Sequence, residues 1–188
     1  MVNEVLSLFS CDVDGILNDY PRCWLKYLAE KCGTLYDSVN LAKKYEGEYR
    51  RYKDEYRNSS YKANLPVHKK NRDAINSIIA HGYEPLLVTS RPIFDEKYPQ
   101  LLENTIKWLR NGEVKFDKFE YKDPKAAFLE KYPNVKFHID DDPNYALKIA
   151  EKGVKVYLLQ NDNWDFSIID KRENIQIVRN LEEILNYE

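Results

Sequence analysis

The apolar positions along the chain follow two patterns. Short continuous apolar runs are typical of strands buried on both faces, whereas apolar residues spaced by three and four are typical of helices that bury one face. The runs predict strands over Val5–Cys11, Pro85–Thr89, Lys115–Tyr121, Val135–Ile139 and Val154–Leu159. The helical spacings predict helices over Tyr20–Lys31, from Asp37 or Ser38 to Arg57, and over Lys69–Ala80, Leu101–Leu109, Pro124–Lys131, Ala146–Lys152 and Leu181–Tyr187.

The order of these elements predicts an α/β fold. Strands and helices alternate over most of the chain, which is typical of a Rossmann-like parallel sheet with helices on both faces. The alternation is interrupted between residues 17 and 65, where helices follow one another without a strand. We therefore interpret residues 17–65 as a small α-helical cap inserted after the first strand, and residues 1–16 together with 66–188 as the main domain.

Composition narrows the class of protein only slightly. The 188 residues carry a net charge of −2, so no overall basic balance indicates a nucleic-acid or membrane surface. The three cysteines are an odd number without metal-site spacing, which favours reduced thiols and a cytoplasmic protein. The first residues lack a basic segment and a long apolar run, so neither a signal peptide nor a membrane span is expected. The sequence does not indicate an oligomeric state.

Polar side chains follow the predicted strands where each of them ends. Asp12 and Asp14 follow the first strand, and Gly15 comes directly after them. Thr89 and Ser90 end the second strand, Lys122 or Lys125 follows the third, and Asp140 and Asp141 follow the fourth. The carboxyl ends of parallel strands meet at one edge of a sheet, where ligands bind. Carboxylates, a hydroxyl and an ammonium at one edge suit Mg²⁺ and a phosphoryl group. Taken alone, an Asp-rich turn that uses Gly15 is the alternative interpretation of the first motif.

In the order and content of these motifs, the chain resembles the haloacid dehalogenase superfamily. The matching stretches are Cys11-Asp12-Val13-Asp14-Gly15, Leu87-Val88-Thr89-Ser90, Lys125 and Ile139-Asp140-Asp141. Within the superfamily the chain is most similar to the 5′-nucleotidase or deoxyribonucleotidase group, through Leu65-Pro66, Thr89-Ser90-Arg91-Pro92, Thr105-Ile106-Lys107-Trp108-Leu109 and Asp140-Asp141-Asp142-Pro143.

The resemblance implies a role for each motif residue. Asp12 would attack phosphorus and Asp14 would act as general acid and base. Thr89 and Lys125 would bind the phosphoryl group; Ser90 and Arg91 follow Thr89 and are further candidates for substrate binding. Mg²⁺ would be held by Asp12, the backbone carbonyl of Asp14 and Asp140, with Asp141 in or near the second coordination shell. Lys122 remains an alternative to Lys125.

Other residues have a structural and a functional interpretation. Tyr45, Tyr49, Tyr52 and Tyr56 form one stripe on the second helix, which could stack on a nucleobase but more often packs in a core. The basic residues Arg50, Arg51, Lys53, Arg57 and Lys62 could bind a second phosphate or an acidic substrate. They alternate with acidic residues, however, which favours a solvated face. His138 and Cys11 are expected in the core.

The sequence therefore predicts a Mg²⁺-dependent phosphomonoesterase for a small phosphorylated substrate, with nucleoside monophosphates favoured. The alternatives are a phosphatase for polynucleotide ends or sugar phosphates and, outside the enzymes, an inactive scaffold that binds a phosphate or a partner. The set Asp12, Asp14, Thr89, Lys125 and Asp140 favours an enzyme, because binding alone does not require a general acid.

Overall fold

A single parallel sheet forms the centre of the molecule. The computed structural model of the chain describes residues 7–122, 125–169 and 172–188. Within them, the strands are β1 (Ser7–Asp12), β2 (Tyr83–Thr89), β3 (Lys118–Tyr121), β4 (Phe137–Asp140), β5 (Lys155–Leu159) and β6 (Ile175–Val178). Their order across the sheet is β3-β2-β1-β4-β5-β6, and every neighbouring pair is parallel. The predicted α/β fold with a Rossmann-like sheet is therefore confirmed.

The helices cover both faces of this sheet and fill the insertion. They are α1 (Arg22–Cys32), α2 (Val39–Lys43), α3 (Glu46–Arg57), α4 (Ser60–Ala63), α5 (Lys69–Ala80), α6 (Leu101–Asn111) and α7 (Pro143–Ala150). Successive side chains of β1 point to opposite faces, so Phe9 packs with α5 and α6 while Leu8 packs with α7. None of the helices in the described ranges is long and apolar enough to cross a membrane.

Four helices, α1 to α4, lie between β1 and α5 and share their own apolar cluster. The single helix predicted up to Arg57 is wrong, because α2 ends at Lys43 and α3 begins at Glu46. The break at Tyr45 brings its ring to 5.5 Å from that of Tyr36. The short helix α4 begins at Ser60 because the Ser59 hydroxyl accepts a hydrogen bond from the Lys62 N–H.

Several other elements differ from the prediction in length or type. Lys125–Glu130 and Leu181–Asn186 are 3₁₀ helices. Helix α7 begins at Pro143 because the Asp142 carboxylate accepts a hydrogen bond from the Asn144 N–H. The short strand β6 was not predicted, since polar side chains interrupt its apolar pattern. Val5, at the start of the first predicted strand, and Pro124 lie outside the described residues.

Candidate active site

The carboxyl ends of β1, β2 and β4 lie side by side. Asp12 is the last residue of β1, Thr89 of β2 and Asp140 of β4, and β1 lies between the other two strands. The strand order reverses at β1, with β2 and β3 on one side of it and β4, β5 and β6 on the other. In a parallel sheet such a reversal opens a crevice at the strand ends. A cavity of about 490 Å³ lies at this edge, and Asp12, Asp14 and Thr89 are part of its wall.

Lys125 joins two of the strand ends. Its buried Nζ lies 2.9 Å from Asp12 Oδ2 and 2.9 Å from Asp140 Oδ2. Burial opposes the charge of the ammonium, but these two carboxylates outweigh it and raise the pKa of Lys125. Of the two lysines that the sequence left open, Lys125 is therefore the one at the strand ends, while Lys122 lies outside the cavity wall.

The carboxylate of Asp140 is held in place by a hydrogen-bond network. Its Oδ1 accepts hydrogen bonds from the backbone N–H groups of Asp141 and Asp142, at 2.9 and 3.0 Å. His138 Nε2 lies 2.9 Å from Asp140 Oδ2, and the other ring nitrogen lies 2.7 Å from the hydroxyl of Ser10. Although burial acts in the opposite direction, Lys125 and His138 hold the pKa of Asp140 below its usual range. The prediction of a core histidine is confirmed.

Asp14 is held by basic and amide groups. Arg91 Nε donates to Asp14 Oδ2 over 2.7 Å, and Nη2 donates to Oδ1 over 2.6 Å. Asn18 Nδ2 donates to Oδ1 over 2.8 Å, and Lys62 Nζ lies 3.5 Å from the same oxygen. Burial opposes ionisation, but Arg91 and Lys62 hold the pKa of Asp14 well below its usual range. Asp14 is therefore a carboxylate in this arrangement.

Arg91 is itself positioned by the main domain. Its Nη1 donates to Thr105 Oγ1 over 2.9 Å, and its guanidinium lies 5.1 Å from the centre of the Trp108 ring. The Arg91 N–H donates to Thr89 Oγ1 over 3.1 Å. The buried Thr89 and the half-buried Ser90 both contribute to the cavity wall.

Three buried carboxylates form a candidate metal site. Oxygen atoms of Asp12, Asp140 and Asp141 all lie within 4.8 Å of one another. Burial and Asp140 raise the pKa of Asp12 to about 7 against the opposing effect of Lys125, and they raise that of Asp141 as well. One ammonium does not balance three carboxylates, so the set fits a divalent cation with oxygen ligands such as Mg²⁺. The side chain of Asp14 binds Arg91, which agrees with a metal contact through its backbone carbonyl only; that contact stays a prediction.

Asp141 is packed too closely to allow another side chain beside it. Gly15 has a φ of 91°, and a Cβ at this position would lie 2.2 Å from Asp141 Oδ1. Position 15 therefore requires glycine for two reasons: its backbone is in the left-handed region, and there is no room for a side chain beside Asp141. On the other side, Trp164 Nε1 donates to Asp141 Oδ2 over 2.9 Å.

The basic residues of the cap do not form a solvated face as predicted. Lys53, Arg57 and Lys62 contribute to the cavity wall, and Lys62 is only 8% exposed. The prediction holds for the exposed Arg50, which pairs with Glu46 on the outer side of α3. A helix with charges on several sides does not reveal in its sequence which of them faces a cavity.

The tyrosine stripe is mainly a packing feature. Tyr49, Tyr52 and Tyr56 belong to the apolar cluster of the cap, and Tyr56 is 1% exposed. Tyr45 is 56% exposed and does not line the cavity. Tyr56 reaches the cavity wall with one side. The interpretation of the stripe as core is therefore confirmed for Tyr56, while Tyr49 and Tyr52 are half-buried against the same cluster.

Three residues of the site were missed from the sequence. Lys62 and Asn18 contact Asp14, and Trp164 contacts Asp141. Trp164 had one signal, as a lone aromatic residue in the polar stretch Asn161-Asp162-Asn163-Trp164-Asp165. Lys62 and Asn18 had none, because their contacts depend on how the cap folds over the sheet.

The similarity of this chain to known proteins lies in its fold. No protein-family profile matches the chain, and no curated protein is significantly similar to it. Among solved structures, a haloacid dehalogenase-like hydrolase from Streptococcus pneumoniae has a TM-score of 0.65 at 14% identity, with 97% of this chain and 98% of that one covered.

Two further structures are similar over their whole length. A predicted phosphatase from Clostridium acetobutylicum has a TM-score of 0.69 at 13% identity, with 97% of each chain covered. A D,D-heptose 1,7-bisphosphate phosphatase from B. bronchiseptica, complexed with magnesium and phosphate, has a TM-score of 0.58 at 11% identity and the same coverage. These similarities show that the chain has the fold of haloacid dehalogenase-like hydrolases.

Proposed function

We propose that the protein is a Mg²⁺-dependent phosphomonoesterase that acts through an aspartyl-phosphate on Asp12. The observation that carries this proposal is the buried Lys125 between Asp12 and Asp140, at the bottom of a cavity that also contains Asp14 and Thr89. An ammonium and a hydroxyl beside a carboxylate suit a phosphoryl group that is under attack. The similarity of the fold to that of solved phosphatase structures supports this assignment.

Asp12 and Asp14 divide the chemistry between them. A carboxylate oxygen of Asp12 attacks phosphorus, and the bond between phosphorus and the ester oxygen breaks. The leaving oxygen takes a proton from Asp14. Asp14 takes up this proton from solvent when the phosphoryl group of the substrate shares the positive charge of Arg91 and Lys62, while Arg91 keeps the carboxyl group oriented. Water then attacks the phosphorus of the aspartyl-phosphate and gives a proton to Asp14, which frees inorganic phosphate and Asp12.

The other residues bind and orient. Lys125 and Thr89 hold the non-bridging oxygens of the phosphoryl group, and Lys125 also orients the carboxylate of Asp12. The residues that would hold Mg²⁺ are Asp12, Asp140 and Asp141. When bound there, the ion offsets negative charge on the phosphoryl oxygens.

The substrate is a small phosphomonoester, because a cavity of about 490 Å³ has the size of a typical ligand site. Nucleoside monophosphates remain a prediction, supported by the motif resemblance. Of the four tyrosines of the stripe, Tyr56 alone lines the cavity, and it is packed in the core of the cap. This weakens the support of the stripe for a nucleobase site and favours the alternative of a sugar phosphate. One of the structurally similar proteins is a phosphatase for a heptose bisphosphate, which agrees with that alternative.

The test is hydrolysis of p-nitrophenyl phosphate, followed by a screen of nucleoside monophosphates and sugar phosphates. We expect turnover with Mg²⁺, loss with chelator and recovery when Mg²⁺ is restored. Asp12→Asn should abolish turnover, whereas Asp73→Asn, an exposed aspartate on α5, should retain it. A protein that binds phosphate but hydrolyses no monoester would contradict the proposal and favour the scaffold alternative.

A further inference from the structure

The cap contributes basic side chains to the cavity wall, whereas the main domain contributes mainly acidic ones. The charged side chains that the cap contributes to the wall are all basic: Lys43, Lys53, Arg57 and Lys62. The acidic side chains of the wall all come from the main domain: Asp12, Asp14, Asp141, Asp142 and Asp165. The negative charge of the main-domain carboxylates can be balanced by a metal ion together with Lys125 and Arg91. The positive charge of the four cap residues is more than Asp14 alone can balance.

Lys53 is surrounded by aromatic rings and has no acidic partner among the described residues. Its Nζ lies over three aromatic rings of the cap, at 4.7, 4.3 and 5.3 Å from the ring centres of Tyr20, Trp24 and Tyr56. Its one hydrogen-bond acceptor is the Tyr20 hydroxyl at 3.4 Å, and in the described part of the chain no carboxylate lies within 4.0 Å of Nζ. Burial, with Lys62 and Arg57 nearby, lowers the pKa of Lys53 well below its usual range. A half-buried ammonium without a counter-charge is unfavourable, and a bound anion would offset this cost.

Arg57 lies on the same side of α3, one turn after Lys53. Its Nη1 donates to the Tyr98 hydroxyl over 2.9 Å, and the carboxylate of Asp54 is 3.8 Å away. A guanidinium has five N–H donors, so most of those of Arg57 are available to a ligand. Lys53 and Arg57 together offer an ammonium and a guanidinium to one anionic group.

This pair is separate from the phosphoryl site but connected to it. Lys62 contacts Asp14, and its Nζ lies 5.0 Å from the centre of the Tyr56 ring. Lys53 lies 5.3 Å from the centre of the same ring and makes no ion pair with Asp12 or Asp14. A molecule whose phosphate is bound at Asp12 could therefore place a second group at Lys53 within one cavity.

We propose that Lys53 and Arg57 bind a second anionic group of the substrate, a phosphate or a carboxylate. The inference rests on the proposed function and narrows it, since the substrate is then a phosphomonoester with two separated anionic groups. The cap would select it by charge and not by stacking on a base.

The decisive experiment compares matched ligand pairs by calorimetry. Asp12→Asn protein in Mg²⁺ lacks the nucleophile, so binding is measured without turnover. Fructose 1,6-bisphosphate against fructose 6-phosphate tests a second phosphate, and 3-phosphoglycerate against glycerol 1-phosphate tests a carboxylate. We expect the second anion to tighten binding at least tenfold in one of the two pairs, which also identifies the anion.

The same titrations are repeated in two cap variants and a control. Lys53→Met keeps the length of the side chain against the aromatic rings and should remove most of the preference; Arg57→Gln provides a second test should Lys53→Met fold poorly. Arg50→Gln, on the outer side of the same helix, should retain the preference in full. Equal affinity for both members of both pairs, or an equal loss in the control, would overturn the inference.

Kinetics of the protein that retains Asp12 distinguish a failure of this inference from a failure of the proposed function. If no monoester is hydrolysed, the proposed function fails, and the titrations still decide whether a second anion is bound. If monoesters are hydrolysed but the ratio of kcat/KM within each pair is near one and unchanged by Lys53→Met, the inference fails alone.

Discussion

Arg91 and Asp14 form a bidentate ion pair across the cavity, with hydrogen bonds of 2.7 and 2.6 Å. The two residues follow different strands, so their contact depends on the loops after β1 and β2 being folded together. Because Thr105 and the Trp108 ring also hold the guanidinium, the pair fixes the orientation of the carboxylate. Because this pair needs two N–H donors in a fixed plane, a lysine at position 91 cannot orient Asp14 in the same way.

We expect Arg91→Lys to lower kcat/KM for p-nitrophenyl phosphate roughly tenfold to a hundredfold. An ammonium keeps the charge but cannot make two parallel hydrogen bonds, and such bonds to a charged group contribute about 1.5–3 kcal/mol each. Steady-state kinetics on the variant measures the effect. Arg110→Lys, an exposed arginine at the end of α6, is the matched control. A wild-type rate in Arg91→Lys would show that the orientation of Asp14 does not matter.

The raised pKa of Asp12 predicts how stability depends on pH in the metal-free protein. The unfolded chain loses this proton near the ordinary pKa, whereas the folded protein keeps it up to about pH 7. Between about pH 4 and 7 the folded state therefore binds more protons, and stability is lost as pH rises, by at most about 1.4 kcal/mol per pH unit. Above pH 7 the loss should be complete.

Urea unfolding in chelator, with Asp12→Asn as reference, isolates this effect. Asparagine does not titrate, so the stability of the variant relative to the unmodified protein should increase from pH 4 to 7 and then stay constant. The contribution of His138, whose pKa is lowered by burial, has the opposite sign and is common to both proteins. A difference that does not change with pH would mean that Asp12 is already ionised at pH 4.

Mg²⁺ should stabilise the fold and should be visible from Trp164. A ligand at a hundred times its Kd adds about 2.7 kcal/mol to the free energy of unfolding, so the melting temperature should rise with Mg²⁺. Because Trp164 Nε1 donates to Asp141, tryptophan fluorescence should change in the same titration. In Trp164→Phe the fluorescence change should be lost while the rise in Tm remains. An unchanged Tm at millimolar Mg²⁺ would contradict a metal site at Asp12, Asp140 and Asp141.

Two tyrosines of the cap should respond differently to truncation. Tyr56→Ala should cost about 3–5 kcal/mol, because the ring is buried between Trp24 and Tyr27, with ring centres 5.2 and 5.3 Å away. Tyr45→Ala should change stability by about 0.5 kcal/mol or less, since the side chain is largely exposed. Denaturant unfolding of both variants tests this. Equal losses would contradict the burial of Tyr56.

The central sheet could be predicted from the sequence because its strands are short runs of apolar residues. The run before Asp12 has no competing helical spacing, and the strands that end at Thr89 and near Asp140 are equally clear. The short strand Ile175–Val178 at the edge was missed because Gln176 interrupts the apolar pattern. Edge strands bury one side only, so their pattern carries less information.

The candidate site could be predicted as far as it depends on strand ends. Asp12, Thr89 and Asp140 end neighbouring strands, and parallel strands bring their ends together in any fold of this class. Lys62 could not be found, because its contact with Asp14 depends on how the cap packs over the sheet. Lys53 and Arg57 were assigned to a solvated face for the same reason. Sequence spacing defines the sides of a helix but not what each side meets.

The bond between Ser10 and His138 has a consequence for motion. These residues are register partners on β1 and β4, so a side-chain hydrogen bond of 2.7 Å reinforces the backbone ladder two residues before each strand ends. Fluctuations that would separate Asp12 from Asp140 must break this hydrogen bond as well as the ladder. We therefore expect the backbone amides of these two strands to be among the slowest in the molecule to exchange with deuterium. The backbone amides of the cap helices, which lie outside the sheet, should exchange faster. These helices should open without separating Asp12 from Asp140.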